Sequence, residues 1–168
     1  PSFLPRITNL CKNLDRNKWT PEIFTEKIKD VNYSTDLCPV FQMPYYNSNN
    51  KIYWAIKWVL HFLFQYKDFK LQKFIENTTN VNDYDLIFCS ISNLFPITTA
   101  ARLSKKYNKP LIIDLRDIDE QWGKHKYLTH SISKSSTINN FIYKQIERLN
   151  IKRRNKALLQ ANSVTTIS

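Results

Sequence analysis

Two short polar stretches in this sequence carry residue types that could do chemistry. Ser90-Ile-Ser-Asn93 follows one apolar run, and Asp114-Leu-Arg-Asp117 closes another with a cluster of charges. Charged groups ending an apolar strand are costly unless they are paired or face a site. The Arg116 guanidinium could hold a phosphate or a carboxylate through two parallel hydrogen bonds. Either aspartate could take a proton or accept a hydrogen bond from a substrate hydroxyl. Arg116 and Asp117 are therefore the candidate catalytic pair, and Ser90, Ser92, Asn93 and Asp114 the candidate substrate-binding residues. A purely structural alternative exists for each stretch: Asp117 caps a following helix while Arg116 pairs with Asp114, and Ser92 or Asn93 caps the helix after the first stretch. His125 and His130 come next, have no partner at a useful spacing, and read as surface histidines.

Such residues need a scaffold that holds strand ends side by side, and the second half of the chain supplies one. Asp85 to Cys89 reads as a strand, Ser90 to Phe95 as a polar turn, and Pro96 opens a helix to about Tyr107, stopped by Asn108 with Pro110 beyond. Leu111 to Leu115 is a second strand, which completes the β-α-β unit of a parallel sheet. Asp117-Ile-Asp-Glu120 fits a capping box for a short helix through Trp122, and Lys124 to Ser136 is a polar loop. A long helix from Thr137 to Ala161 and a β-branched strand from Ser163 to Ile167 follow. Ligands of open parallel sheets bind beyond the carboxyl ends of the strands, where both polar stretches fall. The helix after Ser90–Asn93 would also present an N-terminus able to attract an anion.

The first half is less regular. A helix is predicted from Pro5 to about Arg16, a short strand from Trp19 to Thr25, and turns and loop from Val31 to Asn50. Lys51 to Phe74 is the longest apolar-rich stretch. It sets Ile52, Ile56, Val59 and Leu63 on one helical face and Trp54, Trp58 and Phe62 on another. Lys57 and His61 interrupt it, so it falls well short of the ~20 continuous apolar residues of a membrane span. A helix with two apolar faces and flanking lysines suits packing on its own domain combined with contact at a lipid interface, through Trp54, Lys57 and Trp58. The plainer alternative is burial between a sheet and its neighbours.

Bulk composition narrows the classes. The 168 residues are 42% hydrophobic and 14% aromatic, enough for one folded domain, and a single glycine, Gly123, rules out a Walker loop or a GxGxxG fingerprint. No GxSxG elbow exists to support a hydrolase. The net charge of +11 points to an anionic partner, or else to codon bias in a chain rich in Lys, Asn and Ile. Cys11, Cys38 and Cys89 lie far apart without a CxxC pair, so no disulfide framework, zinc site or other metal site is expected, and a reducing cytoplasm fits. The chain starts at Pro1, and its true N-terminus is expected upstream or removed.

Four segments resemble the retaining glycosyltransferases of family 4, which have the two-domain GT-B fold. They are Tyr84-Asp-Leu-Ile-Phe-Cys-Ser90, the helix from Pro96 to Tyr107 ending Lys-Lys-Tyr-Asn-Lys-Pro110, Leu111-Ile-Ile-Asp-Leu-Arg-Asp117, and Ala161-Asn-Ser-Val-Thr-Thr-Ile-Ser168. Their order and spacing are similar to the second half of that family's N-terminal domain. The resemblance implies a Rossmann-like, three-layer α/β domain with a mainly parallel sheet, holding the acceptor side of a nucleotide-sugar-dependent transferase. The donor-binding domain and the first strand are then expected outside this chain, and the fragment alone is expected to be inactive. It implies no cofactor beyond the nucleotide-sugar substrate, an acceptor in cell-surface polysaccharide or glycolipid synthesis, and peripheral attachment at the inner face of a membrane. Pro1–Arg6 corresponds to the loop that approaches the donor phosphates, which makes Arg6 a further substrate-binding candidate. Two departures are plain: that loop lacks glycine here, and many members carry histidine where this chain has Arg116.

The rival reading is a non-catalytic basic module that holds anionic lipid or nucleic acid. Nucleic acid is the less expected of the two, because the aromatics fall on apolar faces and form no stacking platform.

Overall fold

The computed structural model describes residues 3–27, 37–44, 51–91, 94–115 and 137–166. The chain separates into two compact units, Pro1–Trp54 and Ala55–Ser168.

In the first unit, helix α1 spans Phe3–Asn13, with Pro5 in its first turn where the missing N–H has no intrahelical partner to lose. Strand β1, Ile23–Glu26, pairs in parallel with β2, Val40–Met43. The second strand corrects the loop expected over Val31–Asn50. Its alternation is too short to register as a strand in the sequence, but Phe41 stacks on its register partner Phe24 with centroids 5.0 Å apart, and Met43 is buried. Pro39 and Pro44 bracket the strand. The Ile23 amide donates to the Pro39 carbonyl at 3.0 Å, a bond that uses proline only as an acceptor.

The segment Lys51–Phe74, expected as one helix, is two. Helix α2 spans Lys51–Phe64 and α3 spans Tyr66–Thr78, divided at Gln65, which takes left-handed backbone angles of φ 53° and ψ 40°. The break redirects the chain, and α3 then packs on the helix that follows the next strand. A single 3-10 turn, Val81–Asp83, leads into β3, Ile87–Ile91. Helix α4 is Ile97–Tyr107, β4 is Leu111–Leu115, α5 is Thr137–Leu158 and β5 is Ser163–Thr166. The order β-α-β-α-β is the one the sequence predicts, and β3, β4 and β5 form one parallel sheet with β4 in the middle.

Alternation and register sort the sheet into two faces. Cys89, Ile91, Leu111 and Ile113 lie on the first and pack with Ile97, Ala100 and Ala101 of α4 and Ala157 of α5 in one apolar cluster. Phe88, Ser90, Ile112, Asp114, Ser163 and Thr165 alternate onto the second. The core therefore sits between the sheet and α4, whose buried residues recur at helical spacing. Asn108 ends α4 with φ 51°, as the sequence predicts, and the Ser104 carbonyl accepts from the Lys109 amide at 3.0 Å. Strand β5 is exposed along its length, short and rich in hydroxyls, features that blunt an edge against unwanted pairing. The chain is an α/β protein with parallel strands, consistent with a Rossmann-like domain.

Candidate functional site

Three polar side chains meet on the second face of the sheet, one from each strand. Register sets Ser90, Asp114 and Thr165 opposite one another across β3, β4 and β5. Ser90 Oγ donates to Asp114 Oδ2 at 2.8 Å, and Thr165 Oγ1 donates to Asp114 Oδ1 at 3.0 Å. The Asp114 carboxylate is 1% exposed. Burial at this depth is tolerable because both oxygens accept hydrogen bonds, which offsets the desolvation of the group. The three residues lie near the carboxyl ends of their strands, where ligands of parallel sheets bind.

Ser90 is thus a strand residue. The expected polar turn begins later because the ladder continues through Ile91, which is buried and stands opposite Leu115. Thr165 was not singled out by sequence reading. The signal was present in the alternation Ser163-Val-Thr-Thr, which puts a hydroxyl on the same face as Asp114 once β5 pairs in register.

Arg116, Asp117, Ser92 and Asn93 lie outside the described residues, as do the short helix through Trp122 and the loop with His125 and His130. Arg6 sits on α1, and Trp54 and Trp58 sit on α2, but their side chains are also outside what is described. Lys57 is on α2 and half-buried.

The α4 N-terminus, expected to attract an anion, holds a carboxyl group from within the chain. Asp68, fully buried on α3, accepts at Oδ1 from the Thr99 backbone amide at 3.2 Å and from Thr99 Oγ1 at 3.1 Å. An acid at the first turn of a helix satisfies an orphan N–H and complements the helix dipole. Nearby, Arg102 donates to the Gln65 side chain and lies over the Phe69 ring at 4.0 Å, while Arg153 of α5 donates to the Leu63 carbonyl at 2.9 Å at the end of α2. These bonds tie the α2–α3 junction to the second half of the chain: the Gln65 side chain serves α4 and the Leu63 carbonyl serves α5.

Burial pushes the Asp68 carboxyl above the ordinary 3.8, against the opposing pull of its Thr99 hydrogen bonds and of Arg102 and Lys67. Its Oδ2 has no hydrogen-bond partner among the described residues. A folded pKa above the unfolded one favours the protonated native form, so this contribution to stability is present below pH 3.8 and is lost as pH rises through the raised value. Asp68→Asn keeps an acceptor for Thr99 and removes the buried charge. Urea unfolding at pH 7 should find that variant about 1 kcal/mol more stable than the parent, and Asp68→Ala about 1–3 kcal/mol less stable. Equal losses in both variants would show that the charge itself holds α4.

Outside the sheet, α2 carries a stripe of exposed apolar side chains. Ile56, Val59 and Leu63 recur at helical spacing with exposures of 53%, 43% and 51%, Phe64 at the end of α2 is exposed too, and so is Phe69 on α3 beyond the break. Residues read as one apolar face of this helix are therefore exposed rather than buried. Lys70 and Lys73 are exposed on α3 beside Phe69. No helix among the described residues is long and apolar enough to cross a membrane, and no described group of His, Cys, Asp and Glu is placed to hold a metal ion.

Fold and site together define an α/β protein whose parallel sheet gathers polar side chains toward the carboxyl ends of its strands. No family model matches the chain, and neither does any curated protein or solved structure.

Proposed function

We propose that this chain is the acceptor-side domain of a glycosyltransferase, one half of a GT-B fold, whose complete enzyme moves a sugar from a nucleotide-sugar to a glycan or lipid-linked acceptor. The observation that carries the reading is the Ser90–Asp114–Thr165 cluster at the carboxyl ends of three consecutive parallel strands. It anchors the residues leading into Arg116 and Asp117 at the point where ligands of such sheets bind. In this reading Asp114 fixes the end of β4. Arg116 supplies a fixed positive charge to a phosphate or carboxylate, and Asp117 accepts a proton or hydrogen bond from an acceptor hydroxyl. The α4 N-terminus is taken by the protein's own Asp68, so in this reading donor phosphates bind elsewhere.

The exposed stripe of α2 with its flanking lysines supports a second element of the reading, peripheral docking on an anionic membrane at the cytoplasmic side, where a lipid-linked acceptor would be presented. The same stripe favours the rival reading of a lipid-binding module without catalysis.

The catalytic reading is tested with Arg116→Ala and Asp117→Ala in the full-length protein. Each should lower sugar transfer by about 100-fold or more, while urea unfolding shifts by no more than about 0.5 kcal/mol. Variants that unfold without selective loss of transfer would assign the pair to structure.

A further inference from the structure

Between α2 and α3 the chain turns on one residue. Gln65 holds φ 53° and ψ 40°, a left-handed conformation that a residue with a Cβ takes only at a cost. Its amide still donates to the His61 carbonyl at 2.8 Å and its carbonyl accepts from the Phe69 amide at 3.0 Å, so both helices reach the joint intact. Two long side chains from elsewhere in the second unit bind there: Arg102 of α4 donates to the Gln65 side chain, and Arg153 of α5 donates to the Leu63 carbonyl at 2.9 Å. Each acceptor in these two bonds is a neutral oxygen, a weaker partner for a guanidinium than a carboxylate or phosphate. Around them the joint is poorly satisfied. His61 Nδ1 and Arg102 Nη1 are buried with no hydrogen-bond partner among the described residues, and both would gain water if the joint opened. No described side chain of α2 is buried: Tyr53, Ile56, Val59, Leu63 and Phe64 are exposed, and Lys57, Leu60 and His61 are partly so. The described apolar surface of α2 therefore adds little to hold the helix down.

We propose that α2 is a latched arm, which swings as a rigid helix about Gln65 and is held in the described position by the Arg102–Gln65 and Arg153–Leu63 bonds. Release frees Gln65 from its left-handed angles and hydrates the buried nitrogens of His61 and Arg102. Those gains oppose the loss of the two latch bonds, which keeps the latched and released positions close in free energy. Helix α3 does not follow the arm. It is pinned to α4 at both ends, by Asp68 on the Thr99 amide and hydroxyl and by Glu76 on Lys106 at 2.9 Å.

The test measures distances between pairs of spin labels on the full chain, in buffer without lipid, so that the outcome is separate from the membrane reading. The labels sit on introduced ketone-bearing residues, which leave the three native cysteines untouched. Labels at Val59 of α2 and Lys105 of α4 report the arm; labels at Lys73 of α3 and Lys105 report the pinned pair, and all three positions are exposed. The arm pair should show two distances and the pinned pair one. Arg153→Met keeps the apolar stem and removes the donor, and it should raise the population of the second arm distance about tenfold or more. Arg102→Met should act in the same direction. A single arm distance that neither substitution changes would overturn the proposal, as would two distances for the pinned pair in the parent. Should both variants also lose the pinned distance, the parent decides: two arm distances that exchange weight with temperature below melting support the latch, and one fixed distance overturns it.

Discussion

Asp114→Ala is expected to destabilise the second unit by about 2–4 kcal/mol. The substitution removes the acceptor for Ser90 Oγ and Thr165 Oγ1, and it empties a buried position in the central strand β4. Both hydroxyls then lose a charge-assisted bond that links neighbouring strands, and β5, exposed along its length, keeps little beyond its backbone ladder. Asp114→Asn retains one acceptor oxygen and turns the other position into a donor facing a hydroxyl, so its cost should be about half as large. Thr165→Val preserves shape while deleting one donor, with an expected loss of about 1 kcal/mol. Urea unfolding followed by circular dichroism measures all three. An Asp114→Ala midpoint within about 0.5 kcal/mol of the parent would show that the cluster carries no stability.

The second large effect concerns α2. Placing the exposed side chains of Ile56 and Leu63 in a lipid interface removes apolar surface from water, at about 1.5–3 kcal/mol for each fully transferred side chain. The double variant Ile56→Asp, Leu63→Asp should therefore reduce binding to vesicles containing an anionic lipid by about 100-fold or more, with the folded state intact because both positions are already exposed. Binding by the parent should weaken as salt screens Lys70 and Lys73, but should not vanish, because the apolar contribution survives screening. Sedimentation with vesicles of neutral and anionic composition reads both effects. Equal binding by parent and double variant would return the stripe to an ordinary surface feature.

How much of this was legible in the sequence depended on the range of the interactions. The elements from Ile87 onward follow local rules: apolar runs of strand length, a helix stopped by Asn108 and Pro110, and a long polar-faced helix before a β-branched run. Leu111–Leu115 is a strand with the expected bounds for that reason. Gln65 follows no such rule. Its left-handed backbone sits inside an uninterrupted helical pattern, and the bonds that favour it come from Arg102 and Arg153, far along the chain. Asp68 was equally hidden, since an acid between Lys67 and Phe69 on a helix reads as a solvated charge until α4 brings Thr99 to it. Among the site residues, Ser90 and Asp114 stood out because polar groups ending apolar strands are costly. Thr165 did not, because a hydroxyl in a β-branched run attracts no notice until the strands are in register.

The glycosyltransferase reading is tested most directly by incubating the full-length protein with a panel of nucleotide-sugars in the presence of lipid-linked and glycan acceptors, and measuring nucleotide release. The account predicts release from one donor that depends on acceptor and falls by about 100-fold or more in Arg116→Ala. Folded protein that binds anionic vesicles but releases no nucleotide from any donor would contradict it, and would leave a lipid-binding module in its place.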